Sequence, residues 1–325
     1  MTVVVLGIDA LDPDLVDPDE YSHLTLDAHA TIGTIVSATG EPSTHELWPT
    51  ILTGLRPEEH GLVLEDDGVA WGNPLLSLGS RMADYALPDS LQTAVGAWLL
   101  TNTDTDAFRT PATYYEERGL STVLDGRAAK PIGIPNYVVD PDEEDREHAL
   151  RKSMGDLFER DRSATGGHRS SDPAEFYERC LEMGMVRLAR TRRALRSRNY
   201  ELVFGYTSAL DLIGHVAYQS AGMQAAGYAE LNEFVGELRG DLDEGDELVL
   251  VSDHGLQDGV HTDEAMIAAT DPGIVDRVDG VLDVRGAVEA ELDGTDHRPS
   301  GRTFEAGGEG DAAAVRDQLE DLGYM

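Results

Sequence analysis

The chain has little of several things, and each shortage narrows what it can be. There is one cysteine, Cys180, in 325 residues. That excludes an intrachain disulfide and any cluster of thiolate ligands, and leaves Cys180 to be read as a small buried apolar residue. Only two lysines occur, Lys130 and Lys152; the remaining cations are arginines. Cations are outnumbered by 62 acidic to 25 basic residues, for a formal net charge of −37. A long polyanion would be repelled, so binding to a nucleic-acid polymer is not expected. No apolar run approaches the roughly 18 residues needed to span a membrane. Met1–Ala10 is apolar, but no basic residues precede its apolar run and it ends at Asp9-Ala10, so it reads as a buried first strand and not a signal peptide. We expect a cytoplasmic protein with no membrane partner.

What is present completes the outline. Hydrophobic residues make up 41% of the chain, enough for a sizeable core. The acids are scattered and not gathered in a tail, which suits a protein kept soluble in high salt, where repulsion is screened within a few Å. A surface for a basic partner is the rival reading of the same charge.

Continuous apolar runs at Val3–Ile8, Leu202–Tyr206 and Leu248–Val251 predict strands buried on both faces. Pro173–Arg198 predicts a long helix, with Phe176, Cys180, Leu181, Met185 and Leu188 on its apolar stripe. Its arginine-rich end would complement the helix dipole or attract an anion. Pro42-Ser43 ahead of Thr44, with Gly54 beyond, predicts a helix over Thr44–Gly54 that Thr44 itself would cap. Strands alternating with helices predict an α/β fold with a mainly parallel sheet. We expect a catalytic domain over 1–290, an insert at about 63–170 shaping a pocket, an acidic, glycine-rich linker at 291–310 and a C-terminal helix at 311–325.

Ligands of such sheets gather beyond the carboxyl ends of the strands. Asp9, Asp211 and Asp253 each follow a strand run closely, and Thr44, His215, His254 and His261 lie close by in sequence. Carboxylates mixed with imidazoles suit divalent cations, and this number of ligands suits two of them. Each residue alone has an ordinary explanation: Thr44 as a cap, Asp211 with His215 as a helical ion pair, His261 as a loop residue. Their joint placement is what such explanations leave unaccounted for.

Five blocks carry a resemblance to a known family: Gly7-Ile8-Asp9-Ala10; Thr44 through Trp48-Pro49-Thr50 to Thr53-Gly54; Asp211-Leu212-Ile213-Gly214-His215; Ser252-Asp253-His254-Gly255; and Gly259-Val260-His261-Thr262. In order and spacing they resemble the alkaline phosphatase superfamily, in its type I phosphodiesterase/nucleotide pyrophosphatase branch. The resemblance implies an alkaline phosphatase-like core and one cation held by Asp211, His215 and His261. It implies a second held by Asp9, Asp253, His254 and the oxygen of Thr44. Zinc is the implied metal, with manganese or iron as alternatives. The implied chemistry is hydrolysis of a small phosphoester, such as a nucleotide, through a phosphothreonine on Thr44. The branch often carries aromatic-Pro-Asn after its nucleophile, where this chain has His45-Glu46-Leu47; His45 or Asn136 would then serve as the phosphate-oxygen contact. The sulfatase C/S-x-P-x-R motif is absent, and a serine nucleophile of the phosphoglycerate mutase kind does not fit. Two rivals remain: a phosphomonoesterase or phosphotransferase using Arg169 or Arg127, and an inactive metal-binding interaction protein.

Overall fold

The computed structural model describes residues 1–38, 40–65, 68–69, 109–139, 153–161, 163–293, 299 and 301. About half of the 63–170 stretch, most of the 291–310 linker and the whole of the C-terminal helix at 311–325 lie outside the described residues.

Six strands form the main sheet: β1 (Val3–Ile8), β2 (Ala28–Gly33), β3 (Ala129–Ile132), β4 (Leu202–Thr207), β5 (Glu247–Val251) and β8 (Glu264–Ala269). Their order is β2-β8-β5-β1-β4-β3. β5, β1, β4 and β3 run parallel, while β8 is antiparallel to both β5 and β2. The fold is thus α/β with a mainly parallel sheet, as the apolar runs predict. Part of the 63–170 stretch belongs to this layer: β3 is its edge strand, and Val123, Leu124 and Ile134 lie in its core. After β3 the chain does not stay extended. It turns at Gly133 and Asn136, the latter at φ 56°.

Alternate side chains of β1 enter different cores. Val3 and Val5 pack with helix α1 (Thr44–Thr53) and helix α5 (Val284–Asp293) on one face. Val4, Leu6 and Ile8 pack with helix α2 (Pro173–Ser197) and helix α4 (Met223–Arg239) on the other. Both faces are covered, which is why the strands read as unbroken apolar runs. Residues 291–293, expected to begin the linker, instead close α5.

Arg192 near the end of α2 and Arg198, which caps it, are committed to acids. Arg192 pairs with Glu237 and Asp241, and Arg198 with Asp243 and Asp246, tying α2 to the end of α4 and the turn after it. Arg187 is buried against the Tyr206 ring. Among the described residues, no helix is long and apolar enough to cross a membrane.

Candidate metal centre

Register brings the site together. Ile8 of β1 is level with Thr207 of β4, and Gly7 with Val251 of β5. The three strands therefore release Asp9, the helix α3 (Ala209–Ala217) and Asp253 at one edge of the sheet. Asp211 and His215 lie one turn apart on α3, with His215 Nε2 3.3 Å from Asp211 Oδ1. A hairpin of β6 (Gly255–Gln257) and β7 (Val260–Thr262) returns His261 to the same place.

Two motif glycines are required by close approach. A Cβ on Gly7 would stand 2.4 Å from the Trp48 ring of α1. A Cβ on Gly255 would meet Asp12 Oδ2 at 2.3 Å and Thr262 Oγ1 at 2.4 Å. Asp12 takes hydrogen bonds from Thr262 Oγ1 and Gln257 Nε2, at 3.0 and 3.1 Å, and so ties the hairpin to the end of β1.

Ser43, and not Thr44, holds the capping position of α1, in extended backbone; Thr44 is the first helical residue. Its hydroxyl is turned to the site, where Oγ1 lies 3.3 Å from both carboxylate oxygens of Asp9 and 3.3 Å from His254 Nε2.

The seven expected side chains converge as two adjoining sets. In one, His261 Nε2 lies 3.4 Å from Asp211 Oδ1 and 3.3 Å from His215 Nε2. In the other, His254 Nε2 lies 3.4 Å from Asp9 Oδ1 and 3.4 Å from Asp253 Oδ2. Asp211 also comes within 4.8 Å of Asp9 and His254, and the His254 and His261 rings stack at 4.0 Å.

These distances fit a divalent cation. Ligands of a tetrahedral zinc lie roughly 2.0–2.1 Å from the metal, so neighbouring ligands are spaced by roughly 3.3 Å. The histidine tautomers fit as well. Nδ1 of His215, His254 and His261 each faces a backbone carbonyl, of Gly259, Gly255 and Pro42, at 3.0–3.1 Å. A proton on each Nδ1 satisfies those carbonyls and leaves the three Nε2 lone pairs free for a metal. Both carboxylate oxygens of Asp253 are buried without a hydrogen bond among the described residues, and the buried Oδ1 of Asp211 faces the Nε2 atoms of His215 and His261, as expected of groups that would hold a cation.

Charge tells the same story. Burial, followed by the Asp211 charge, pushes the Asp9 carboxyl up to about 7. Burial and the charges of Asp9 and Asp211 push Asp253 well above the carboxylate range. Burial also works to raise Asp211, yet His215 and His261 hold it well below its ordinary value. Burial works to lower His261, but the hydrogen bond and charge of Asp211 carry it up to about 9. Burial, then the charge of His261, takes His254 down to about 3. Asp9 and Asp253 are thus buried side by side, an arrangement that a bound cation would relieve.

His45 and Asn136 are brought together, but with each other. Asn136 Nδ2 lies 2.9 Å from His45 Nδ1 and donates to the His45 carbonyl at 2.9 Å. The reason is Pro49, inside α1, which has no N–H for the carbonyl four residues earlier. Asn136 supplies the missing donor, and both of its amide hydrogens are engaged by His45. Arg127 pairs with Asp293, and Arg169 with Glu159 and Asp161. His60 is structural: fully buried, it accepts from Leu62 N at 3.2 Å and meets Thr50 Oγ1 at 3.1 Å.

Sequence reasoning missed two contributors. Tyr206 donates to Asp9 Oδ2 at 2.5 Å, yet in the sequence it only ends a buried strand. Asp12 reads as a turn residue before Pro13. The partners of both lie more than 190 residues away, so local pattern carries no trace of them.

A mainly parallel sheet with two adjoining Asp/His sets beyond its strand ends defines an α/β protein with side-chain groups that fit divalent cations. The family model described as type I phosphodiesterase / nucleotide pyrophosphatase matches residues 3–321, and the chain belongs to that family. Among solved structures, it is similar to murine ectonucleotide pyrophosphatase/phosphodiesterase 5, at 15% identity and TM-score 0.42, covering 78% of this chain and 57% of that one. The chain thus spans little more than half the length of the murine protein. A Pyrococcus horikoshii protein matches at 12% identity and TM-score 0.45, covering 94% of this chain and 98% of that one. Alkaline phosphatase from the Antarctic bacterium TAB5 matches at 11% identity and TM-score 0.40, covering 91% and 99%. No curated protein sequence matches the chain.

Proposed function

We propose that the protein is a two-metal phosphoester hydrolase of the phosphodiesterase/nucleotide pyrophosphatase type, with Thr44 as its nucleophile. The observation that carries this reading is the position of Thr44 Oγ1, 3.3 Å from Asp9 and from His254, at a helix start freed from capping. Family membership supports the reaction class, and the family's description supports a small nucleotide-like substrate.

Asp211, His215 and His261 would hold one cation, and Asp9, Asp253, His254 and the Thr44 oxygen the other. Zinc is the metal proposed, because the ligand spacing fits it. Such cations, when bound, acidify a neighbouring hydroxyl and offset negative charge on the attacking and leaving oxygens. Thr44 Oγ1 gives up its proton and attacks phosphorus, and the bond to the leaving alcohol oxygen breaks as that oxygen takes up a proton. The product on the chain is a phosphothreonine diester. Water then attacks the same phosphorus, the bond to Oγ1 breaks, and Thr44 recovers its proton. Two in-line displacements leave the configuration at phosphorus unchanged. The backbone N–H groups opening α1 favour the anionic phosphoryl group.

A diester carries one ionisable oxygen fewer than a monoester and needs fewer cationic side chains. Arg127 and Arg169, which a monoesterase would recruit, are instead paired with acids. The test is a panel of para-nitrophenyl mono- and diesters, with added zinc or manganese, in high salt. Diester preference in the wild type and at least a hundredfold loss in Thr44→Ala are expected. Monoester preference would transfer the proposal to a phosphomonoesterase. Two bound ions with no effect of Thr44→Ala would leave a metal-binding protein and no such enzyme.

A further inference from the structure

Asp9 is almost fully buried, and its two carboxylate oxygens are not equivalent. Oδ1 faces His254 Nε2 at 3.4 Å, whereas Oδ2 accepts the Tyr206 hydroxyl at 2.5 Å. An ionised carboxylate only accepts hydrogen bonds, so the phenol is the donor. The terminal torsion of an aspartate is broad and close to two-fold, so nothing intrinsic to Asp9 selects which oxygen faces the site. Hydrogen bonding of Oδ2 to a fixed donor makes that selection.

The donor is fixed. Tyr206 lies on β4, 2% exposed. The Trp48 ring meets it edge-on at 4.9 Å and 74°, and the Arg187 guanidinium carbon stands 5.1 Å from its centroid. Trp48 is in turn seated against Gly7, two residues before Asp9, with room for no Cβ between them. Strand β1, the first helix and strand β4 thus meet at one phenol, whose hydroxyl ends on a residue of the site.

We propose that Tyr206 is a positioning residue for the cation held by Asp9, Asp253 and His254: it locks Oδ2 and presents Oδ1 as the ligand atom. The inference rests on the two-metal reading given above. It also makes Tyr206 asymmetric in effect, because the ligand its hydroxyl holds, Asp9, belongs to one of the two sets. Partners of this kind, one step behind a ligand, typically change metal affinity 10- to 100-fold when lost.

The test is zinc titration of the metal-free protein in high salt, against a chromophoric chelator. Wild type, Tyr206→Phe, Asp253→Ala and Tyr228→Phe are compared. Wild type should bind in two steps, and Asp253→Ala identifies the step that belongs to the Asp9 side. Tyr206→Phe should weaken that same step 10- to 100-fold and leave the other within about twofold. Tyr228→Phe removes another buried phenol, which donates to the Ala10 carbonyl and accepts from Asp12 N instead of bonding a ligand side chain, and should leave both steps within about twofold. Cobalt(II) in place of zinc should show an altered absorption band in Tyr206→Phe for the same step only. Folding is followed by near-ultraviolet circular dichroism, and Tyr206→Met is the second variant should phenylalanine not be accepted. Unchanged affinities, equal weakening of both steps, or the same effect from Tyr228→Phe would overturn the assignment. Absence of zinc binding by the wild type would overturn the two-metal reading itself.

Discussion

Gly7→Ala tests how closely the fold and the site are joined. The added Cβ would lie 2.4 and 2.5 Å from two ring carbons of Trp48. Carbon atoms rest at roughly 3.5–4.0 Å, so about 1 Å of movement is demanded. Trp48 is fully buried between Phe204 and Tyr206, with ring centroids at 6.4 and 4.9 Å, and cannot simply swing aside. Overpacking of this size costs about 1–3 kcal/mol. The easier movement is of α1 as a whole, and Thr44 lies one turn from Trp48 on that helix. A displacement of about 1 Å at a reacting group can cost about a hundredfold in rate. Gly7→Ala should therefore lower stability in urea unfolding by about 2 kcal/mol and lower kcat on a diester by about a hundredfold. It should do so although no ligand has changed. Stability and kcat both equal to wild type would show that Trp48 does not couple the strand to the nucleophile, and the reasoning would fail.

Stripping the metals with a chelator should lower the melting temperature. Each ion at a thousandfold excess over its Kd contributes about 4 kcal/mol, so two give a shift on the order of 15 °C at roughly 2 °C per kcal/mol. An unchanged melting curve in protein shown to have lost its zinc to the chelator would refute this. Asn136→Ala should destabilise by about 1–3 kcal/mol, because the His45 carbonyl that Pro49 leaves free loses its donor; restored stability in Asn136→Ala combined with Pro49→Ala would confirm the cause, and its absence would refute it. Burial holds His60 neutral and takes it down to about 4. The unfolded chain binds that proton near pH 6.5, so stability from this group is complete above 6.5 and is lost as pH falls towards 4, by about 3 kcal/mol. In chelator, His60→Gln should flatten the stability profile between those values, and an unchanged slope would exclude His60 as the source.

The buried strands, the long helix and the seven side chains that converge beyond the strand ends were legible because each leaves a local mark. An apolar run is a strand covered on both faces, and Asp211 and His215 four apart share one helical face. Gly7 and Gly255 could be seen as motif glycines, though not why no other residue fits. That depended on Trp48, Asp12 and Thr262 arriving from elsewhere. The capping position expected of Thr44 falls to Ser43, whose side chain makes no capping hydrogen bond, since pattern locates a helix start only to within a residue or so.

Sequence by itself determined the α/β class, the family and which Asp, His and Thr side chains lie near the strand ends, because strand ends and residue types are properties of short segments. Tertiary structure alone decided the rest. It set the 3.3–3.4 Å spacing of the ligands, the carbonyls that orient the three imidazoles, the donor for His45 and the phenol on Asp9. Those depend on the register of strands distant in the chain, and register is fixed by the burial of sheet faces that only the assembled fold provides.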